Sequence, residues 1–336
     1  MRVLLTSILC HSGLMTHVRD LVRYLEGQGV EVAVAYKKVN FLSEAEEQQL
    51  LANLGEHNYC IFETADELAA FIKQNKTQLI HAHSHATFTM VAEVSKRLDV
   101  PFIVTLHSIY LWPLFFGRTL QAAKKIIAVG PGQAKSATPY LDKIVIIENG
   151  IDTKRFTVKN DWLTENPQVI NVLWYGRVDG HLSKGIKILD QIALSLPNNI
   201  QIIALGSTDY RIRNMPHIKW TDDPVPYLQN SHITYAHGRS LREAMACGSV
   251  GMLIGHGYGG LVTEELLRRQ NFAVDAFPNY GLARARSCVV LEDLIQLTSG
   301  VDLNLYRKQA RRLAEKYFDL DLMGRRILAL YQEIIK

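Results

Sequence analysis

The sequence predicts a doubly wound α/β protein built as two domains, and three observations carry that prediction. Short apolar runs alternate with amphipathic helical stretches along the whole chain. The alternation breaks at a turn cluster, Glu148-Asn149-Gly150-Ile151-Asp152, followed by the polar segment Lys159 to Gln168, and restarts at Ile170. At 336 residues the chain is also too long for one ordinary core. Residues 1–155 are expected to form one domain and 156–319 the other, with the helix 320–336 packing back on the first.

Composition narrows the function classes. Hydrophobic residues make up 48% and charged residues 21%, as in a soluble globular protein. The formal charge of +4 suits anionic ligands or a membrane surface, but no nucleic-acid-binding motif accompanies it. Cys10, Cys60, Cys247 and Cys288 are scattered without metal spacing, which reads as reduced cytosolic thiols. The N-terminal apolar run stops after about ten residues without a cleavage site, so it reads as a first strand and not as a signal peptide. No uncharged run is long enough to span a bilayer. The expected location is cytoplasmic, with peripheral contact at the inner face of the membrane as an addition.

Val3 to Ile8 is a continuous apolar strand, as in a parallel sheet covered on both faces. The loop Cys10-His11-Ser12-Gly13 leads into a helix with Met15, Val18, Leu21, Val22 and Leu25 on one face, closed by Gly27 and Gly29. Val30 to Tyr36 is the second strand. One loop glycine does not make the dinucleotide fingerprint, which weighs against an oxidoreductase. Ser43 and Glu46 form a capping box for a helix ending at Gly55; Cys60 to Phe62 is a strand, and Asp66 begins another helix. Two apolar strands then end in histidine: Leu79 to His81, continuing to His83 and His85, and Phe102 to His107. With no cysteine or acidic residue nearby, these histidines are expected to line a polar cleft at the sheet's carboxyl edge, with no metal. Lys125 to Val129 and Ile144 to Ile147 complete a sheet of about seven strands. Between strands lies the aromatic stretch Tyr110 to Arg118, read as a helix burying its rings. With Arg118, Lys124 and Lys125 it offers the alternative of a lipid- or acceptor-facing patch.

In the second half, strand Ile170 to Tyr175 is followed by Gly176-Arg177 and, across a loop, Lys184-Gly185 before the helix Ile186 to Ser195. Arg177 and Lys184 make a cationic fork suited to a diphosphate. After strand Gln201 to Gly206 and the segment through Trp220 comes strand Ile233 to Ala236, which opens into His237-Gly238-Arg239-Ser240-Leu241-Arg242-Glu243-Ala244-Met245-Ala246-Cys247-Gly248. Ser240 is the predicted N-cap. A helix starting there presents unpaired N–H groups to a phosphate, and Glu243 one turn on would accept from sugar hydroxyls. Strand Val250 to Ile254 leads to Gly255-His256-Gly257-Tyr258-Gly259-Gly260, a glycine loop expected to let backbone approach a sugar. The rest is expected to be helical in three segments ending at Thr298, Tyr317 and Ile335.

Taken in order, these pieces resemble the GT-B glycosyltransferases, and among them the retaining family-four group. Gly13 with His17 resembles that family's N-terminal glycine loop, Thr105-Leu106-His107 its Thr-x-His strand end, and Asn149-Gly150-Ile151-Asp152 its hinge segment. Gly176-Arg177 with Lys184-Gly185 is similar to its phosphate clamp, and Glu243 to Gly248 to its Glu-Ala-Met-Ala-Cys-Gly run. The resemblance implies two Rossmann-like domains facing across a cleft, the first on the acceptor side and the second binding the donor. It implies Arg177 and Lys184 on the donor diphosphate, Glu243 on the ribose, and the backbone of Gly238, Arg239 and Ser240 around phosphate. Gly13 would join the donor site, and His107 would contact the transferred sugar. The implied chemistry is hexosyl transfer with retention from a UDP- or GDP-type sugar to a carbohydrate, lipid-linked or small-molecule acceptor, in bacterial-type glycan or glycolipid synthesis. The nucleotide sugar is a co-substrate; no cofactor or metal is implied. The sequence departs from the family where the first Glu, eight residues before the second, is replaced by Tyr235, so the sugar would be read differently, through Gly259 and Gly260. The alternatives are a catalytically inactive nucleotide-sugar binding protein and a sugar-nucleotide epimerase on the same fold.

Overall fold

The protein, described here by a computed structural model, divides into two compact units, Met1–Gly150 with Leu320–Lys336, and Ile151–Asp319. The structure describes residues 1–10, 12–52, 58–163, 167–178, 183–219, 221–255, 257–269, 274, 282–299 and 302–336. His11, the predicted helix end at Gly55, residues 164–166, residues 179–182 of the cationic loop, Trp220 and His256 lie outside them.

The first unit holds β1 (Arg2–Ile8), β2 (Glu31–Lys37), β3 (Asn58–Phe62), β4 (Leu79–Ala82), β5 (Phe102–Leu106), β6 (Ile126–Ala128) and β7 (Ile144–Ile146). They form one sheet in the order β3-β2-β1-β4-β5-β6-β7, parallel at every pair. Alternate residues of each strand feed two cores: Val3 and Leu5 belong to one, Leu4, Ala33 and Ala35 to the other. That explains why the strands read as unbroken apolar runs and not as period-two patterns. Strand order reverses between β1 and β4, so the crevice outside their carboxyl ends is the natural ligand position of this sheet.

The second unit holds β8 (Ile170–Val178), β9 (Ile200–Thr208), β10 (His217–Ile218), β11 (Ile233–Ala236), β12 (Val250–Ile254) and β13 (Tyr258–Leu261), ordered β10-β9-β8-β11-β12-β13. All pairs are parallel except β12 with β13. Here the reversal falls between β8 and β11.

The division comes at residue 150, not at 155. The Ile151 N–H donates to the Phe318 carbonyl at 2.8 Å, and Ile151 and Phe156 share a buried core with Leu313 and Ala314. Residues 151–155 are thus tied to the second unit by burial. The helix Leu320–Ile335 belongs to the first, where Leu320, Met323, Ile327, Leu330 and Tyr331 join the core with Val18 and Leu21.

Candidate active site

Both switch points collect the polar residues singled out from sequence. In the second unit the collecting strand is β8. The Tyr175 hydroxyl donates to Glu243 Oε2 at 2.8 Å. The next residue, Gly176, lies so close to the following helix that a Cβ on it would stand 3.5 Å from Ser240 Oγ. Arg177 follows, exposed but still in β8, paired with Ser207. Lys184, also exposed, opens the helix Lys184–Ile192. Its neighbour Gly185 rests against β12, where a Cβ would meet Ile254 Cγ1 at 3.1 Å and the Gly255 carbonyl at 3.3 Å. The carboxyl ends of β8, β11 and β12 therefore hold Arg177, Lys184, Ser240 and Glu243 around one sheet edge.

The helix Gly238–Ala246 starts earlier than predicted. Its N-cap is His237, whose side chain makes no capping bond, so Ser240 lies inside the helix. Gly238 turns the chain out of β11 at φ +57°, a left-handed conformation that favours glycine, and donates its N–H to the Val274 carbonyl at 2.7 Å. One residue thus separates strand from helix. Glu243 is 5% exposed and forms an ion pair with Arg239, Nε to Oε1 at 2.6 Å. Both carboxylate oxygens are therefore held from within the unit. Burial, with the Glu243 carboxylate beside it, pushes the Tyr175 phenol well above its usual value, so it stays a proton donor.

Tyr235, at the position of the family's first Glu, is fully buried in the core under β11. Because the strand runs directly into the helix, a side chain eight residues before Glu243 packs under the sheet and cannot reach a ligand beside Glu243. Gly259 and Gly260 do not form a loop. They lie in β13, hydrogen-bonded to β12, where Gly260 pairs with Leu253 and Tyr258 with Ile254 across a register shift that leaves Gly259 as the extra residue. A Cβ on Gly259 would come within 2.8 Å of Leu253, so this glycine answers to strand packing.

In the first unit, Gly13 is the first residue of the helix Gly13–Gly27, capped by Ser12, whose hydroxyl accepts from the Met15 N–H at 3.3 Å. His107 follows β5 directly and is half-buried. The strand-end histidines are packed together. His81 Nδ1 meets the Tyr331 hydroxyl at 2.5 Å and its Nε2 meets Thr105 Oγ1 at 2.6 Å. His83 stacks on it, ring centres 3.9 Å apart, and places Nδ1 3.3 Å from His107 Nε2. His17 lies edge-on to His107 at 4.8 Å between ring centres. Burial, with neighbouring imidazoles adding to it, holds His81 and His83 well below the ordinary imidazole value, so both are neutral near pH 7.

Tyr175, His17 and Tyr331 were not singled out for these contacts. The parallel order β1-β4-β5 was the available signal for the histidines, because it sets the carboxyl ends of three histidine-bearing segments side by side. The aromatic stretch departs from expectation. Trp112 is buried, but Tyr110, Leu111, Leu114 and Phe115 are 44%, 62%, 73% and 57% exposed. Helix Trp112–Ala122 is kinked at Phe116, and one turn's rings cannot all face Phe88 and Leu120 below it.

Residues 11–155 match the family model described as Glycosyltransferase Family 4. No curated protein matches the chain by sequence. Among solved structures, Anabaena HepE in complex with UDP and glucose is similar with a TM-score of 0.74 at 14% identity, covering 99% of this chain and 100% of that one. A glycosyltransferase from Rickettsia africae gives 0.70 at 15% identity, covering 100% and 98%. Sucrose-phosphate synthase from Thermosynechococcus elongatus gives 0.67 at 14%, covering 99% of each. At such identities the likeness shows the fold, the GT-B architecture of two Rossmann-like domains.

Proposed function

We propose that this glycosyltransferase, with its Family 4 domain over residues 11–155 and its GT-B fold, moves a sugar from a nucleotide diphosphate to an acceptor with retention of configuration. The observation that carries the proposal is the gathering of Arg177, Lys184, Ser240 and Glu243 at the β8–β11 switch point, where a doubly wound sheet binds its ligand. The two exposed cations neutralise the leaving diphosphate, an effect that grows as charge develops on the departing oxygen. N–H groups of the Gly238–Ala246 helix add their dipole, with the Arg239 and Ser240 backbone nearest the phosphate, since the Gly238 N–H is committed to the Val274 carbonyl. Glu243 accepts from ribose hydroxyls through lone pairs left by Tyr175 and Arg239. For Gly13 and His107 the roles proposed are those the family resemblance implies, Gly13 in donor binding and His107 on the transferred sugar. UDP donors have the support of HepE, whose structure is also known in complex with UDP-glucose. The charge bookkeeping needs no metal at the diphosphate.

A lipid-linked acceptor fits the exposed Leu111, Leu114 and Phe115, which would lie at the inner membrane surface; no helix among the described residues is long and apolar enough to cross it. The second reading, a nucleotide-sugar binding protein without turnover, draws on the Arg239–Glu243 ion pair and the buried Tyr235.

Replacing Arg177 and Lys184 together by alanine tests the proposal. Each charged hydrogen bond contributes roughly 1.5–3 kcal/mol, so transfer should fall about a hundredfold or more. Ordinary turnover in the double variant defeats the assignment. Donor affinity without turnover in the native chain selects the binding-protein reading, and conversion of donor with no acceptor present selects the epimerase.

A further inference from the structure

Three imidazoles meet at the carboxyl ends of β1, β4 and β5. His17 comes from the helix that follows β1, His83 is the first residue beyond β4, and His107 the first beyond β5. One ring nitrogen from each lies within 4.8 Å of the other two. A tetrahedral ion bonded to imidazole nitrogen at about 2.0–2.1 Å spaces its ligand atoms about 3.3–3.4 Å from each other. The edges here are at most 4.8 Å, so each shortens by no more than about 1.5 Å as an ion is taken up.

A second observation points to a ligand here. His83 is 2% exposed, and its Nε2 is buried without a hydrogen-bond partner. Hiding a polar ring nitrogen in this way is costly unless something binds it. His81 is excluded from the ligand set because Tyr331 and Thr105 occupy both its nitrogens. It instead backs the His83 ring at 3.9 Å and holds it toward the other two.

We propose that His17, His83 and His107 form a three-histidine site for a borderline divalent cation, Zn²⁺. Three imidazoles with no carboxylate or thiolate suit Zn²⁺ and disfavour Mg²⁺ and Ca²⁺, which take oxygen ligands. His107 is half-buried, so an ion can reach the cluster from its side. All three ligands belong to the first unit, and the proposal stands whether or not the chain transfers sugar.

The full chain, stripped with a chelator and titrated with Co²⁺ and then Zn²⁺, tests this. One equivalent of Co²⁺ should give the intense visible bands of four-coordinate cobalt, and Zn²⁺ should displace it. His17→Gln, His83→Gln and His107→Gln should each weaken Zn²⁺ at least tenfold, while Cys288→Ser, which removes an exposed thiol, should change nothing. Far-UV circular dichroism identifies any misfolded variant, and His17→Asn replaces one that fails. Six-coordinate cobalt spectra, or a Zn²⁺ affinity indifferent to all three substitutions, overturn the site.

Discussion

Glu243 offers the sharpest test of how the second unit is built, because folding and ligand recognition make separable demands on one carboxylate. Its partners are Arg239 at 2.6 Å, with the two side chains 17% and 6% exposed, and the Tyr175 hydroxyl at 2.8 Å. An exposed pair at this spacing on a helix contributes about 0.3–0.5 kcal/mol, whereas stripping one partner from a fully buried pair costs about 3–5 kcal/mol. Arg239 is slightly wet and Tyr175 would remain, so Arg239→Ala should cost about 2 kcal/mol. Glu243→Gln keeps the shape and loses the charge, at about 1 kcal/mol. A double-mutant cycle in urea should therefore give a coupling of about 1–2 kcal/mol. Calorimetry with UDP and GDP reads the other demand. Glu243→Gln should weaken the nucleotide that binds by about tenfold, the loss of about 1.4 kcal/mol. Arg239→Ala, which leaves the backbone cradle in place, should weaken it less. A coupling below about 0.5 kcal/mol would mean the carboxylate is not held as described. Unchanged nucleotide affinity in Glu243→Gln would remove it from the ribose.

His107→Ala should lower turnover more than donor affinity; equal losses in both would assign the ring to binding alone. Gly248→Ala should destabilise the second unit by roughly 1–3 kcal/mol, because φ is +82° there and a Cβ would lie 2.5 Å from the Trp162 ring; an unchanged urea midpoint would refute that packing. His232 accepts from the Asn171 N–H at 3.0 Å through Nδ1, and burial, with Arg307 and Lys159 adding to it, holds its value down to about 4. Between about pH 6.5 and 4 the unfolded chain takes up this proton and the folded one does not, so stability is full above pH 6.5 and falls as pH drops. The fall is at most about 3 kcal/mol. His232→Asn should flatten that part of the urea-midpoint profile, and an unaltered profile would refute the linkage.

Much of the fold was legible because burial on both faces leaves a direct mark in sequence. Runs such as Val3 to Ile8 and Phe102 to Leu106 are mostly apolar, broken only by the buried Thr6, Ser7 and Thr105, because both sheet faces are covered. Capping was legible where hydroxyl and carboxylate reciprocate, as at Ser43, whose N–H and hydroxyl both donate to Glu46 Oε2 at 2.9 and 2.7 Å. It failed at Ser240, where Gly238 makes the turn with no side-chain cap. The glycines at 259 and 260 misled for a related reason. Glycine marks a close approach without naming what approaches, and here it is Leu253 of the neighbouring strand.

The departure at Tyr235 has the same cause and a larger consequence. Counted in sequence, it is a substitution of one residue in a motif; in three dimensions it is a matter of loop length. β11 ends at Ala236 and the helix begins at Gly238, so no loop exists on which a first Glu could stand. Restoring glutamate at 235 would bury a carboxylate beside Val250 and Met252 and would unfold the unit before it reached a sugar. Any contact that replaces that Glu has to come from residues already at the edge, such as Arg239 or Ser240, which follow Gly238 directly. Specificity for the donor sugar is therefore expected to change when Ser240 or Arg239 is varied, and to be indifferent to Tyr235→Phe.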